Sequence, residues 1–267
     1  MKCGICGAEG EMIYEGSLKT GLLSGYTKKS YPVYQCTQCK TIWNMAYQDE
    51  KPDYYEQGTY REKIEENTDF HTLKFKYDKQ VLFKMNLTGT EGMRGKTVCD
   101  IGCGEGCFLD FISGPAENIV AVEPNVIYQK ELRQEGYHVY AYAEEALKDW
   151  RQKIDLITSF DVIEHTEDPR KFVREIYELL PSGGGQCVIG TPTDYPVLRK
   201  LLGDTFNQFI FQVQHPWIFS ERALRILFEE VGFCKVTIKN TQKYGLGNFI
   251  AWLHEQIPRG DLKYDFI

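Results

Sequence analysis

The chain of 267 residues is 42% hydrophobic and 26% charged, an ordinary globular composition that excludes a disordered or low-complexity polymer. Its net charge of -7 argues against a nucleic-acid partner, because phosphate backbones are held by clustered Lys and Arg. No apolar run approaches the ~20 residues that cross a bilayer, and Met1-Lys2-Cys3-Gly4 is not followed by a signal-peptide core, so the expected location is cytoplasmic.

Thiols stay reduced in that compartment, so the cysteines are not read as a disulfide framework. Four of them form two C-x-x-C pairs, Cys3 with Cys6 and Cys36 with Cys39, and the short spacer lets both thiolates of a pair face one ion. Four thiolates close a tetrahedral zinc site and leave no position for water, which gives the metal a structural role. Gly16, Gly21 and Gly25 break the intervening stretch into short strands, and Tyr31 to Gln35 enters the second pair as a strand. Residues 1–48 resemble a zinc ribbon. Over residues 1–50, Lys2, Lys19, Lys28, Lys29 and Lys40 are balanced by Glu9, Glu11, Glu15, Asp49 and Glu50, so the N-terminal stretch is neutral.

Residues 49–92 read as a helical connection, with Phe70, Leu73, Tyr77, Val81 and Met85 on one stripe. Tyr54, Tyr55 and Tyr60 ahead of it either cap a ligand pocket or pack as half-buried aromatics. From residue 93 to 243 strand and helix signals alternate, the pattern of a parallel sheet covered on both faces, an α/β Rossmann-like doubly wound fold. Strands are expected at Thr97 to Gly102, Ile119 to Glu123, His138 to Tyr142, Ile154 to Phe160, Gln186 to Gly190 and Phe233 to Lys239. Asp168-Pro169 starts one helix, and another runs from Ser220 to Gly232. Thr191 to Phe219 is too long for a plain connection and is rich in aromatics and His, so it reads as a substrate-side insertion. Residues 244–267 form a C-terminal extension.

The stretch Thr97 to Gly106, TVCDIGCGEG, runs a strand into a Gly-x-Gly-x-Gly turn and a helix, which is where an open α/β sheet takes a nucleotide-like ligand. A dinucleotide site wants a third glycine where Cys107 stands, and Asp100 would set a carboxylate near a pyrophosphate. The same carboxylate can accept from the ammonium of an amino-acid moiety. Cys99, Cys103 and Cys107 are spaced like cluster ligands, but Cys99 lies inside a strand and all three read as packing thiols.

Asp100-Ile101-Gly102-Cys103-Gly104-Glu105-Gly106, Val122-Glu123-Pro124, Phe160-Asp161-Val162-Ile163-Glu164-His165 and Leu179-Leu180-Pro181-Ser182-Gly183-Gly184 resemble, in order, the motifs of class I S-adenosylmethionine (SAM)-dependent methyltransferases. Ser182 departs from the usual Gly. The resemblance covers roughly residues 96–239 and implies that Asp100, Gly102 and Gly104 hold the methionine portion, with Cys103 among the cofactor-binding residues beside them. It further implies Glu123 and Pro124 at the ribose, Ala143 and Glu144 at the adenine edge, and Phe160 and Asp161 under the sulfonium. Alone, Asp100 or Glu123 would read equally well as a solvated strand-end acid.

Methyl transfer needs an aligned nucleophile and a base for its proton. Candidate bases are Glu164, His165 and His215, with Tyr195 a weaker one, each set against a purely structural hydrogen-bonding role. The absence of an Asn/Asp-Pro-Pro-Tyr sequence points away from base N-methylation. The ribbon, the His215-Pro216-Trp217-Ile218-Phe219-Ser220 segment and Gln242 to Leu253 look like enzymes thought to methylate sugars. The expected acceptor is a small molecule, a nucleotide sugar or glycan precursor methylated on oxygen or carbon, with S-adenosylhomocysteine (SAH) as the other product. Two alternatives stand beside it: a zinc-ribbon RNA methyltransferase, and a non-catalytic ribbon module with a degenerate cofactor domain.

Overall fold

The structure, a computed structural model, describes residues 1–21, 25–49, 55–89, 93–241 and 245–256. Tyr54 and the start of the Gln242 to Leu253 segment lie outside them. The N-terminal module is built of β1 (Gly10–Gly16), β2 (Lys19–Gly21), β3 (Gly25–Tyr26), β4 (Tyr31–Cys36) and β5 (Ile42–Asn44). Next come α1 (Thr59–Ile64) and α2 (Phe70–Thr88). Asp69 caps α2 by accepting from the Thr72 amide at 2.9 Å. The predicted stripe faces inward, with Phe70, Leu73 and Val81 buried and Tyr77 and Met85 packed beside them.

The main sheet follows: β6 (Thr97–Ile101), α3 (Cys107–Ile112), β7 (Asn118–Val122), α4 (Val126–Gln134), β8 (His138–Tyr140), α5 (Ala143–Trp150), β9 (Leu156–Phe160), α6 (Pro169–Leu179) and β10 (Gln186–Gly190). The strands lie in the order β10-β9-β6-β7-β8 and every pairing is parallel. Alternation along β6 sends Cys99 and Ile101 into the core under α5, α6 and the later Ser220 helix, and Val98 into the core under α2 to α4. The order reverses between β6 and β9, so the ligand crevice of such a sheet opens beyond their carboxyl ends.

The insertion is not an irregular loop. It forms α7 (Pro196–Leu202), α8 (Asp204–Ile210) and β11 (Trp217–Ile218) before α9 (Glu221–Val231) and α10 (Leu246–Glu255). β11 pairs antiparallel with β5, Trp217 opposite Trp43 and Ile218 opposite Ile42, and completes a four-stranded sheet in the order β1-β4-β5-β11. The cysteine-bearing end of the module also packs on the main domain: Arg170 donates to the Gly4 and Ile5 carbonyls at 3.0 and 2.8 Å, and Ser220 donates to that of Cys39.

The strand expected at Phe233 to Lys239 does not form. Val236 and Ile238 keep the alternation and stay half-buried, but no ladder reaches them among the described residues. Arg225 instead takes the Val236 carbonyl at 3.0 Å, and Phe233 packs on Tyr177 and Phe228.

Candidate active site

Asp100 sits near the end of β6, 1% exposed. Its Oδ1 accepts from Thr158 Oγ1 at 2.6 Å, while the buried Oδ2 has no hydrogen-bond partner. Burial pushes its carboxyl up, and the Lys84 ammonium and the Thr158 hydroxyl oppose that. Lys84, on α2, lies 5.2 Å from the centre of the Phe160 ring and 6.0 Å from that of Phe108.

The turn after β6 requires glycine. Gly102 has φ 75° and an added Cβ would overlap Val162 Cγ2; Gly104 has φ 57° and its Cβ would meet Arg61 Nη2 at 2.9 Å. Glu123 follows β7, 9% exposed, and its Oε2 and Oε1 accept from the amides of Gly104 and Asn125, both at 2.9 Å. A carboxylate has about four acceptor positions, so this one keeps capacity for further donors. Cys103 is buried beside it, and burial raises its thiol and that of Cys99; Cys107 Sγ donates to the Lys74 carbonyl at 3.1 Å. These are packing thiols.

Residues 55–64 cross the carboxyl edge of the sheet. Arg61 pairs with Glu105 at 2.9 Å, Tyr142 donates to Glu56 at 2.6 Å, and Tyr55 and Tyr60 set their rings 5.8 and 5.6 Å from that of His165. Both tyrosines therefore pack edge-on against the His165 ring.

Glu164 and His165 form a one-turn helix, Ile163–His165, directly after β9, and His215 precedes β11. The ligand-capable atoms of all three lie within 4.8 Å of one another, and the two imidazoles meet edge to face at 4.6 Å. The histidines are far apart in the chain; Gln214 bridges the gap by accepting from His165 Nδ1 at 2.7 Å. A carbonyl only accepts, so Nδ1 donates to the nearer Gln214 oxygen, with the Tyr55 hydroxyl oxygen 3.0 Å from the same nitrogen as a second acceptor, and Nε2 keeps the lone pair. Burial lowers His165 to about 4, with the Gln214 carbonyl opposing, and lowers His215 further still, with His165 and Lys19 adding to the effect. Both rings are neutral near pH 7. Glu164 is 1% exposed; Oε2 accepts from Thr191 Oγ1 at 2.9 Å and Oε1 has no hydrogen-bond partner. Burial, then Asp161, raises its carboxyl well above the usual range.

The remaining sequence candidates divide. Phe160, Asp161 and Pro124 stand at strand ends around the crevice, Asp161 with φ 58° and its amide on the Gly190 carbonyl at 2.9 Å. Ala143 is buried at the start of α5, whereas the Glu144 side chain is 66% exposed and pairs with Lys171 at 2.7 Å on the surface. Tyr195 is the residue ahead of α7, apart from the cluster. Arg61, Lys84, Thr158, Thr191 and Gln214 had no sequence signal, since each acts through packing between distant elements.

In the N-terminal module Cys3 Sγ lies 3.7 Å from Cys39 Sγ and Cys6 Sγ 3.3 Å from Cys36 Sγ, and all four sulfurs fall within 4.8 Å. Four sulfurs about 2.3 Å from one ion would be about 3.8 Å apart, so the set fits a closed tetrahedral centre. The amides of Ile5 and Cys39 already point at Cys3 and Cys36 Sγ, at 3.4 and 3.3 Å. Cys39, with the Cys6 and Ile5 amides, draws the Cys3 thiol down to about 5 against the effect of burial, while the contact with Cys3 and burial raise Cys39.

A methyltransferase-domain family matches residues 76–238, more than half of the chain, and the chain belongs to that family. Among curated proteins it is 28% identical over 159 residues to a tRNA U34 carboxymethyltransferase of Pseudoalteromonas translucida, covering 56% of this chain and 48% of that protein. It is 25% identical over 100 residues to a ubiquinone biosynthesis O-methyltransferase of Pseudomonas savastanoi, covering 35% and 43%. The chain thus spans about half the length of the curated relatives it matches. A solved SAM-dependent methyltransferase from Thermotoga maritima superposes with a TM-score of 0.47 at 21% identity, covering 62% of this chain and 76% of that one. The family is SAM-dependent, which implies SAM as methyl donor, and the crevice fits it: an orphaned Asp100 oxygen suits an ammonium, Glu123 suits a pair of hydroxyls, and the glycines leave the backbone open.

Proposed function

We propose that the protein transfers a methyl group from SAM to a small-molecule acceptor, a sugar or related metabolite, on oxygen or carbon, and that its four-cysteine cluster holds a structural zinc ion. The observation that carries this reading is the meeting of Glu164, His165 and His215 beside the Gly-loop crevice. When bound, SAM supplies a methyl group already activated by its sulfonium. The chain's own part is to bind, orient and handle a proton. Asp100 and Glu123 fix the two ends of the donor, and Tyr55 and Tyr60 narrow the mouth. His165 offers Nε2 to the acceptor's proton while Gln214 holds the ring, with His215 at its edge and Glu164 closing the cluster.

Calorimetry with SAH tests the donor site: saturable heat is expected, and Glu123→Ala should weaken binding about 10- to 100-fold, the worth of one or two hydrogen bonds to a charged group. No heat from the wild type would sink the reading. The tRNA relative makes RNA the competing acceptor. A labelled-methyl screen against nucleotide sugars, cell-extract metabolites and RNA decides it, and label in RNA alone would overturn the small-molecule assignment.

A further inference from the structure

Between the N-terminal module and the insertion lies a cavity of about 690 Å³, whose lining includes Gln35, Lys40, Asp194, Tyr195, Arg199 and Glu221. Gln35 and Lys40 flank the second cysteine pair, and Asp194 to Arg199 lead into and along α7, so neither module makes the cavity alone.

Its polar groups are incompletely used. The Asp194 side chain is 10% exposed and faces Arg199 Nη2 at 3.1 Å as an ion pair. Arg199 Nη1 is buried with no acceptor, and the carboxylate retains acceptor positions beyond its charge contact. A buried donor and a buried acceptor without hydrogen-bond partners, on two residues that line the cavity, match a ligand that both donates and accepts at neighbouring atoms, which is what adjacent hydroxyls do. The charges of the lining cancel, Lys40 and Arg199 against Asp194 and Glu221, so nothing here favours a polyanion. The cavity is also near the reacting end. Thr191 holds Glu164 at 2.9 Å, and Asp194 follows shortly along the same strand exit, at most about 11 Å of extended chain.

We propose that this cavity is the acceptor subsite, that it takes a neutral polyhydroxylated ring, and that Asp194 and Arg199 together grip two neighbouring hydroxyls of it. The inference deepens the methyltransferase reading and rests on it for the identity of the reacting group. It also accounts for the position of the four-cysteine module, which supplies one wall of the acceptor site.

Saturation-transfer NMR on the full chain loaded with SAH, using dTDP-glucose, UDP-glucose and maltose as probes, tests it. Saturation should reach the sugar-ring protons, and Asp194→Asn and Arg199→Lys should each weaken the probe that binds by tenfold or more. SAH heat should stay at the wild-type value in both variants, since neither touches the Gly loop, which shows that they fold, while loss of the buried charge pair in Asp194→Asn lowers the melting temperature. Failure of all three probes, indifference to both substitutions, or an RNA hairpin that binds and loses affinity in the same two variants would overturn the proposal. Absent SAH heat with sugar binding intact would instead remove the methyltransferase reading and leave the sugar site standing.

Discussion

At Gly102 both steric demands of the crevice fall on one atom: φ is 75°, and a Cβ would overlap Val162 Cγ2. Gly102→Ala should therefore destabilise by about 1–3 kcal/mol, the cost of a strained backbone together with a crowded contact. Adding Val162→Ala should restore only the contact part, which a double-mutant cycle in denaturant reads directly. His165 makes a second residue-scale prediction. Its folded value near 4 lies below the usual 6.5, so between those values the unfolded chain binds the proton and the folded chain does not. Stability contributed by the neutral ring is complete above pH 6.5 and is lost as pH falls toward 4, on the order of 2–3 kcal/mol. Glu164 shifts the opposite way and its contribution is lost as pH rises, so the wild type alone mixes the two. His165→Asn, which keeps a donor for Gln214, should flatten the acid limb of the melting curve against pH; identical limbs would refute the assignment. The positions of Asp100, Gly102 and Glu123 were legible because each stands within a residue or two of the carboxyl end of its own strand, β6 or β7. Arg61 and Lys84 were not, because two helices from outside the sheet, α1 and α2, deliver them and helical spacing says nothing about which turn packs on the sheet.

The element that joins the two modules is β11, Trp217 and Ile218 alone, paired with β5. Asn44, at the end of β5, donates to the Gln212 and His215 carbonyls at 3.2 and 3.0 Å, so the N-terminal module holds the turn that carries His215. The sequence showed the ribbon and the insertion as separate features. A pairing of Ile42 and Trp43 with two residues near the other end of the chain has no periodic signature to detect. The missing strand at Phe233 to Lys239 is the converse case, since alternation survives there without a partner strand and a ladder needs both. The coupling predicts a defect at a distance. Cys36→Ser should lower bound zinc, measured by native mass spectrometry, and should expose the Trp217 region to limited proteolysis while SAH binding falls by less than about threefold, because a change that leaves the donor's own contacts in place costs well under 1 kcal/mol. Unchanged cleavage in a zinc-free variant would show that the ribbon does not hold the insertion.

Across the whole molecule the same coupling fixes the number of cooperative units. One buried cluster runs from Cys3, Ile5 and Trp43 of the N-terminal module through Phe219 and Ala223 to Cys99, Val122 and Ile157 of the parallel sheet. Its continuity means that neither part can lose its packing without uncovering apolar surface of the other. The zinc-loaded protein should therefore melt in a single calorimetric transition whose van't Hoff and calorimetric enthalpies agree, despite the two-module outline of the sequence. With zinc held by the four cysteines as proposed, its removal would take away the link that orders the cysteine-bearing end, since its binding energy would be folding energy. In excess chelator the trace should split: an early, small transition for the N-terminal sheet together with β11, and a later one for the parallel sheet. SAH should raise only the later one, by mass action on the fold that binds it. Two transitions in the zinc-loaded protein would mean that the shared cluster is a contact between independent domains, and the cavity between the N-terminal module and the insertion would then lack a fixed wall.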